Sequence, residues 1–329
     1  MKYVGMQTQI RRNNRLSVLL LLMFPLIILG TVYMFFFILG MLGGGYYDSY
    51  GNWVSEFDIN EVNSEFLAIF PWVVLIVGVW FLIAYKFNTW IIRKSVGARS
   101  LERRENPKLY NIVENMCMSC GMDMPMINIV DDPRLNAFAS GINKKTYTVT
   151  VTTGLLNRLN DAELAGVIGH ELTHIRNNDT RLLITSIVFV GIVSTIVSII
   201  FHMIWRVAAF GNNNRNKNGM SVLVIMLVGL ICGAIAYFFT AVTRFAISRK
   251  REYMADAGGA ELCGDPLALA NALRTISAAP GLKDCGREEV AQLFIIHPKD
   301  MTSGIMSLFN SIFSTHPDTA KRIEILEQF

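Results

Sequence analysis

Four stretches of the chain carry no Asp, Glu, Lys or Arg: 16–42, 66–85, 182–205 and 220–243, built chiefly from Leu, Ile, Val, Phe and Met. Each is long enough to cross a bilayer core, which takes ~20 helical residues. The stretches between them obey other periods. From Leu164 through Val167, Ile168, Leu172 and Ile175 the apolar positions recur at helical spacing. Asn160 stands at the start of that helix as an N-cap, with Glu163 in the capping-box position. Residues 145–152 are rich in β-branched residues and alternate, which predicts a strand. The pattern predicts a membrane hairpin over 1–92, one part of an aqueous domain over 93–181, a second hairpin over 182–243 and the rest of that domain over 244–329.

Charge gives this arrangement a direction. Lys2, Arg11, Arg12 and Arg15 precede the first stretch, and Arg93, Lys94, Arg99, Arg103 and Arg104 follow the second. The loop between them holds Asp48, Glu56, Asp58, Glu61 and Glu65 and no Lys or Arg. The positive-inside rule therefore puts both termini and the aqueous domain in the cytoplasm. Loop 211–219 carries Arg215 and Lys217, so the crossing of the last two stretches rests on their length; a surface-lying or re-entrant hairpin is the alternative. The first stretch is too long for a signal peptide and lacks a convincing cleavage site, so it is expected to be retained.

Composition agrees with a membrane protein: 52% of residues are hydrophobic and 17% charged, against about 25% charged in soluble domains. The net charge of +4 comes from Lys and Arg beside the apolar stretches, which argues for membrane topology and against nucleic acid. Five scattered cysteines include one C-x-x-C, Cys117 and Cys120, with no second pair to complete a four-thiolate zinc site.

The chemistry lies in His170-Glu-Leu-Thr-His174. Four residues apart on a helix, both imidazoles leave one face and can hold one Zn²⁺, with Glu171 beside the water that such a metal activates. Gly166 and Gly169 weaken this helix by about 1 kcal/mol each relative to Ala, a cost that close approach of another backbone would explain. A catalytic zinc needs a third protein ligand. Asn177 and Thr180 stand where a metzincin would have its glycine and third histidine, which excludes that class. Arg251-Glu-Tyr-Met-Ala-Asp256 offers carboxylates instead: Glu252 as ligand and, four residues on, Asp256 to accept a hydrogen bond from a ligand histidine. An ordinary charged helix, with Glu252 paired to Arg249 or Lys250, is the alternative. Asp179 is a weaker candidate for the same supporting role.

Together with Asn136-Ala-Phe-Ala-Ser-Gly141 and Ser314-Thr-His-Pro-Asp-Thr-Ala-Lys-Arg322, these motifs resemble the HtpX family of membrane-bound zinc metalloproteases, relatives of the CAAX prenyl endopeptidases. The resemblance implies an α+β, gluzincin-type catalytic domain on about four transmembrane helices, with His170, His174 and Glu252 on one zinc and Glu171 as general base. It implies further that Asn136 and Phe138 lie on the substrate side, that His316 supports the oxyanion and that Arg322 orients a carboxylate; by its residues alone His316 reads as a surface-loop histidine. The implied substrates are membrane proteins or unfolded polypeptides, cleaved at the cytoplasmic face of a bacterial inner membrane in protein quality control. A prenyl-peptide processing protease is the alternative, although four spans are few to enclose a chamber. A metal-binding scaffold or transporter is disfavoured because the spans hold almost no ionisable residue near their middle. Zinc proteases of this shape pair substrate with an edge strand, and 145–152 is the candidate edge, a plain core strand being the other option. His297, the segment 285–313 and the loop 43–65 have no assigned role.

Overall fold

The computed structural model describes residues 6–43, 45–47, 49–55, 57–210, 222–279 and 318–329. His316, His297, the segment 285–313 and the loop 211–219 lie outside the described residues. The chain divides into two compact units, one of residues 18–84 and 188–243 and the other of 1–17, 85–187 and 244–329.

The apolar unit is drawn from four long helices: α1 (Met6–Gly43), α2 (Ile59–Ser95), α6 (Asp179–Phe210) and α7 (Val222–Cys263). The segments apolar enough to cross a membrane are Leu22–Leu42, Ile59–Ile83, Asp179–Trp205 and Leu223–Thr240. A short antiparallel hairpin, β1 (Gly45–Tyr47) and β2 (Trp53–Ser55), follows α1. The interior of this unit is small: Phe24, Ile28, Phe189, Ile192, Val193 and Ala236, with the rings of Phe24 and Phe189 stacked at 5.0 Å. Most other large apolar side chains of these segments face outward. A helical bundle with its hydrophobic residues outside is stable only where the solvent is hydrocarbon. Helices α2 and α7 continue well past the ends of their membrane segments, as no proline interrupts 84–95 or 241–263. Glu252 therefore rides the same helix as the fourth span and not a separate later one.

The second unit is α+β. Its sheet has the order β3 (Arg99–Ser100), β4 (Met126–Val130), β6 (Thr148–Thr152), β5 (Ala137–Ser140), with β4 and β6 parallel and the outer pairs antiparallel. The threonine-rich strand is thus interior: all five residues of β6 are buried, and the Thr152 hydroxyl bonds to the Arg134 carbonyl at 2.6 Å. Threonine at alternate positions suits a water-facing edge equally well, so the pattern could not distinguish edge from core. The edges are β3 and β5, the latter carrying Phe138, and residues 144–146 form a turn in place of the strand's expected start.

Helix α3 (Pro107–Cys120), capped by Asn106 and ended by Gly121 in the left-handed region, covers the core with Leu109, Val113, Met116 and Cys117. A single turn, α4 (Thr153–Arg158), leads to α5 (Asp161–Arg176), whose capping box forms as expected: Asn160 Oδ1 accepts from the Glu163 N–H at 2.9 Å and Glu163 Oε2 from the Asn160 N–H at 3.0 Å. Helices α8 (Pro266–Ala278) and α9 (Thr319–Leu326) complete the unit around Leu164, Val167, Leu172, Leu269, Leu273 and Leu326. The α5 glycines have the purpose expected of them. A Cβ on Gly166 would stand 2.9 Å from the Leu269 backbone, one on Gly169 2.9 Å from the Gly259 carbonyl oxygen, and one on Gly259 2.8 Å from the His170 nitrogen. Helices α5 and α7 therefore cross backbone to backbone, beside His170.

Candidate active site

That crossing places His170 and His174 of α5 against Glu252 of α7. Their ligand atoms all lie within 4.8 Å of one another. His170 Nε2 is 3.1 Å from His174 Nε2 and 3.8 Å from Glu252 Oε2, and His174 Nε2 is 3.6 Å from Glu252 Oε1. Bonds of about 2.0–2.1 Å in a tetrahedral zinc site separate the ligand atoms by roughly 3.3–3.4 Å, which these spacings bracket.

Each histidine is held from behind by an aspartate, and each aspartate by an arginine. His170 Nδ1 is 3.0 Å from Asp256 Oδ1, and Arg322 grips Asp256 with two donors, Nε at 2.8 Å and Nη2 at 2.7 Å. His174 Nδ1 is 3.1 Å from Asp179 Oδ2, and Arg251 Nη1 donates to the other oxygen of Asp179. Asp179 opens α6 after a turn in which Asn178 takes the left-handed conformation at φ 60°, which asparagine tolerates better than most residues. Arg322 also reaches Glu252, Nη1 to Oε2 at 3.5 Å. On the other side of Glu171, the N–H of Ala139 on β5 donates to Oε2 at 2.6 Å.

The electrostatics of this cluster favour a cation. Glu171, Asp179, Glu252 and Asp256 are all buried, and so are Arg251 and Arg322. Four carboxylates against two guanidiniums leave two negative charges uncompensated among these six, and a buried charge demands a partner. With a carboxylate behind each Nδ1, the proton of each neutral imidazole sits there and the two Nε2 lone pairs face each other at 3.1 Å. They repel unless a proton or a metal lies between them. Burial opposes charge on His174, but its hydrogen bond to Asp179 and the carboxylates of Glu252 and Glu171 outweigh it and push its pKa up to about 9. Burial alone would raise Asp256 as well, whereas Arg322 and His170 hold its carboxyl below the usual range. Burial raises Glu171, with the neighbouring Glu252 adding to it. These residues fit a divalent metal on His170, His174 and Glu252.

The sequence pattern described as Peptidase family M48 matches residues 103–329. A protease HtpX homolog from Bacteroides fragilis is 50% identical over 329 residues, spanning 100% of both chains. The chain belongs to peptidase family M48. Two further protease HtpX homologs extend the relation: one from Tropheryma whipplei, 37% identical across 80% of this chain and 86% of its own, and one from Caldanaerobacter subterraneus, 33% identical across 96% and 95%. Among solved structures, that of S. mikatae Ste24p overlaps 81% of this chain and 59% of its own at 18% identity and a TM-score of 0.49, a likeness on which nothing here depends. This M48 chain is accordingly a membrane protease of the metallopeptidase type, as the resemblance implied.

Of the site residues expected from sequence, His170, Glu171, His174, Glu252, Asp256, Asp179 and Arg322 come together here. Asn136 immediately precedes β5, its N–H bonded to Thr152 Oγ1 at 3.0 Å, and Phe138 lies within that strand; both side chains are buried. Glu252 lies 3.8 Å and 3.6 Å from the two histidines and 3.5 Å from Arg322, on the side a ligand would occupy. Two participants escaped sequence reading. Arg251 reads as one of a run of positive charges after a span, and a backbone N–H such as that of Ala139 leaves no mark in a sequence at all.

Proposed function

We propose that this chain is a zinc-dependent endopeptidase with one Zn²⁺ per subunit held by His170, His174 and Glu252. The observation that carries this reading is the convergence of the three ligand side chains within 4.8 Å of one another, with the Glu171 carboxylate adjoining them. Bound there, zinc supplies Lewis acidity to the scissile carbonyl and the attacking water. Glu171 accepts the water's proton and passes it to the leaving amine. The Ala139 N–H donated to Oε2 holds that carboxylate in place. Asp256 and Asp179 keep the histidine protons on Nδ1, and Arg322 keeps Asp256 in place.

The substrate lies extended along β5, an edge strand of the sheet beside Glu171, which supports pairing by strand addition. Asn136 and Phe138 shape that edge from within, and His316 is assigned to the oxyanion. The catalytic domain is composed of 93–181 and 244–329, with hairpins 1–92 and 182–243 anchoring it. The distribution of Lys and Arg supports a cytoplasmic catalytic domain in a bacterial inner membrane. Misfolded or damaged membrane proteins are the substrates, and quality control is the role.

The test is cleavage of an unfolded, unmodified membrane protein by the metal-loaded enzyme in detergent, beside a prenylated peptide. Glu171→Gln is expected to retain metal and lose about 10²–10⁴-fold in rate. A Glu171→Gln variant cutting as fast as the parent, or a parent that cuts only the prenylated peptide, overturns the reading.

A further inference from the structure

The two Arg–Asp–His arms are built alike but not equally. The Arg322 arm is closed: the arginine side chain is 0% exposed, it makes two donor contacts to Asp256, and its histidine, His170, is 2% exposed. The other arm is looser. Arg251 Nη1 donates to Asp179, which follows a turn with Asn178 at positive φ, and the side chains of Arg251, Asp179 and His174 are 7%, 11% and 15% exposed against 0%, 3% and 2% for Arg322, Asp256 and His170. The segments joined are also different. Arg322, Asp256 and His170 lie within α9, α7 and α5, whereas Asp179 is the first residue of α6, three residues past the end of α5.

We propose that Arg251 is a positioning residue for the metal ligand His174, acting through Asp179, and that this arm sets how fast the metal leaves the site. A carboxylate with one oxygen held by Arg251 has only the other to offer His174 Nδ1, so it fixes both the ring's orientation and its tautomer. Without Arg251, Asp179 can rotate in its turn, and the most exposed ligand loses its brace. Arg251 precedes Glu252 directly in α7, so one helical step supplies both a ligand and the brace of another ligand on a different helix. The inference rests on the metal site proposed above and adds to it a residue with no contact to metal or substrate.

The experiment uses the full-length protein in detergent, loaded with Co²⁺ or Zn²⁺, and follows metal release to an excess of chelator together with the visible Co²⁺ spectrum. Arg251→Ala and Asp179→Asn are each expected to hold metal about 10–100-fold more weakly and to alter the spectrum. The double variant should be no worse than the weaker single one, because both break one chain of contacts. Arg251→Lys should restore most of the retention, since it keeps a positive donor facing Asp179. Thermal unfolding with and without metal separates this role from a structural one: positioning reduces the stabilisation that metal confers, whereas a structural role lowers both forms equally. Equal lowering, additive losses, or parental release and spectrum in Arg251→Ala would each overturn the inference while leaving the site intact. A parent that binds no metal at His170 and His174 would overturn the site itself.

Discussion

The two units of the chain invert each other's rule of burial. In residues 18–84 and 188–243 the outer surface is apolar, with Leu67, Ile76 and Leu82 each more than three-fifths exposed. In the other unit the interior holds charge: Arg322, Asp256, Glu171, Glu252 and Arg251 are all buried. Either feature would be a fault in an ordinary soluble domain. Exposed leucine is the equilibrium position where lipid is the solvent, and buried charge is tolerated where each group has a partner and a metal completes the balance. What marks function in the chain is therefore the departure from the common rule, and the departure has opposite sign in the two units.

The comparison can be broken at chosen points. The largest effect is expected at Arg322→Ala, which leaves Asp256 buried without its guanidinium and should cost about 3–5 kcal/mol; thermal unfolding in detergent measures it, and a loss below about 1 kcal/mol would mean that the charge cluster is not held as a unit. Next comes Leu75→Arg in the second span, where lipid exposure predicts a penalty of about 2.5–3.5 kcal/mol on membrane insertion; a fractional-insertion assay reads it directly, and insertion at the parental level would contradict the assignment of that surface to lipid. The smallest is Gly259→Ala. Its added methyl would stand 2.8 Å from the His170 nitrogen, and overpacking of this kind costs about 1–3 kcal/mol. Here the stability loss should be accompanied by weaker metal retention, since the clash falls at a ligand's own backbone.

Much of this was legible in the sequence, for identifiable reasons. Span length is a local property, so each of the four apolar stretches appears in the structure on a long helix, with limits that shift by up to seven residues, at the Ile59 start of the second. The capping box and the His170, His174 pair depend only on helical spacing and came through unchanged. Glu252 was reachable by elimination, because the metzincin positions hold Asn177 and Thr180. The assignment of 145–152 to a sheet edge failed because strand order is a long-range property: Thr148, Thr150 and Thr152 look the same whether their hydroxyls meet water or the Arg134 carbonyl. Arg251 was hidden by its neighbours, since Arg249 and Lys250 give it a sufficient explanation in topology. His316 lies outside the described residues.

The glycine crossing of α5 and α7 acts as a mechanical stop. With the carbonyl of Gly259 against Gly169, and Gly259 against the His170 nitrogen, no side chain separates the two helices at this contact, so their backbones can come no closer there. The stop acts on the backbone alone, so the side chains of His170, His174 and Glu252 keep the freedom to adjust that their helices lack. The closest approach of the two helices beside His170 is thus set by two residues that have no side chain.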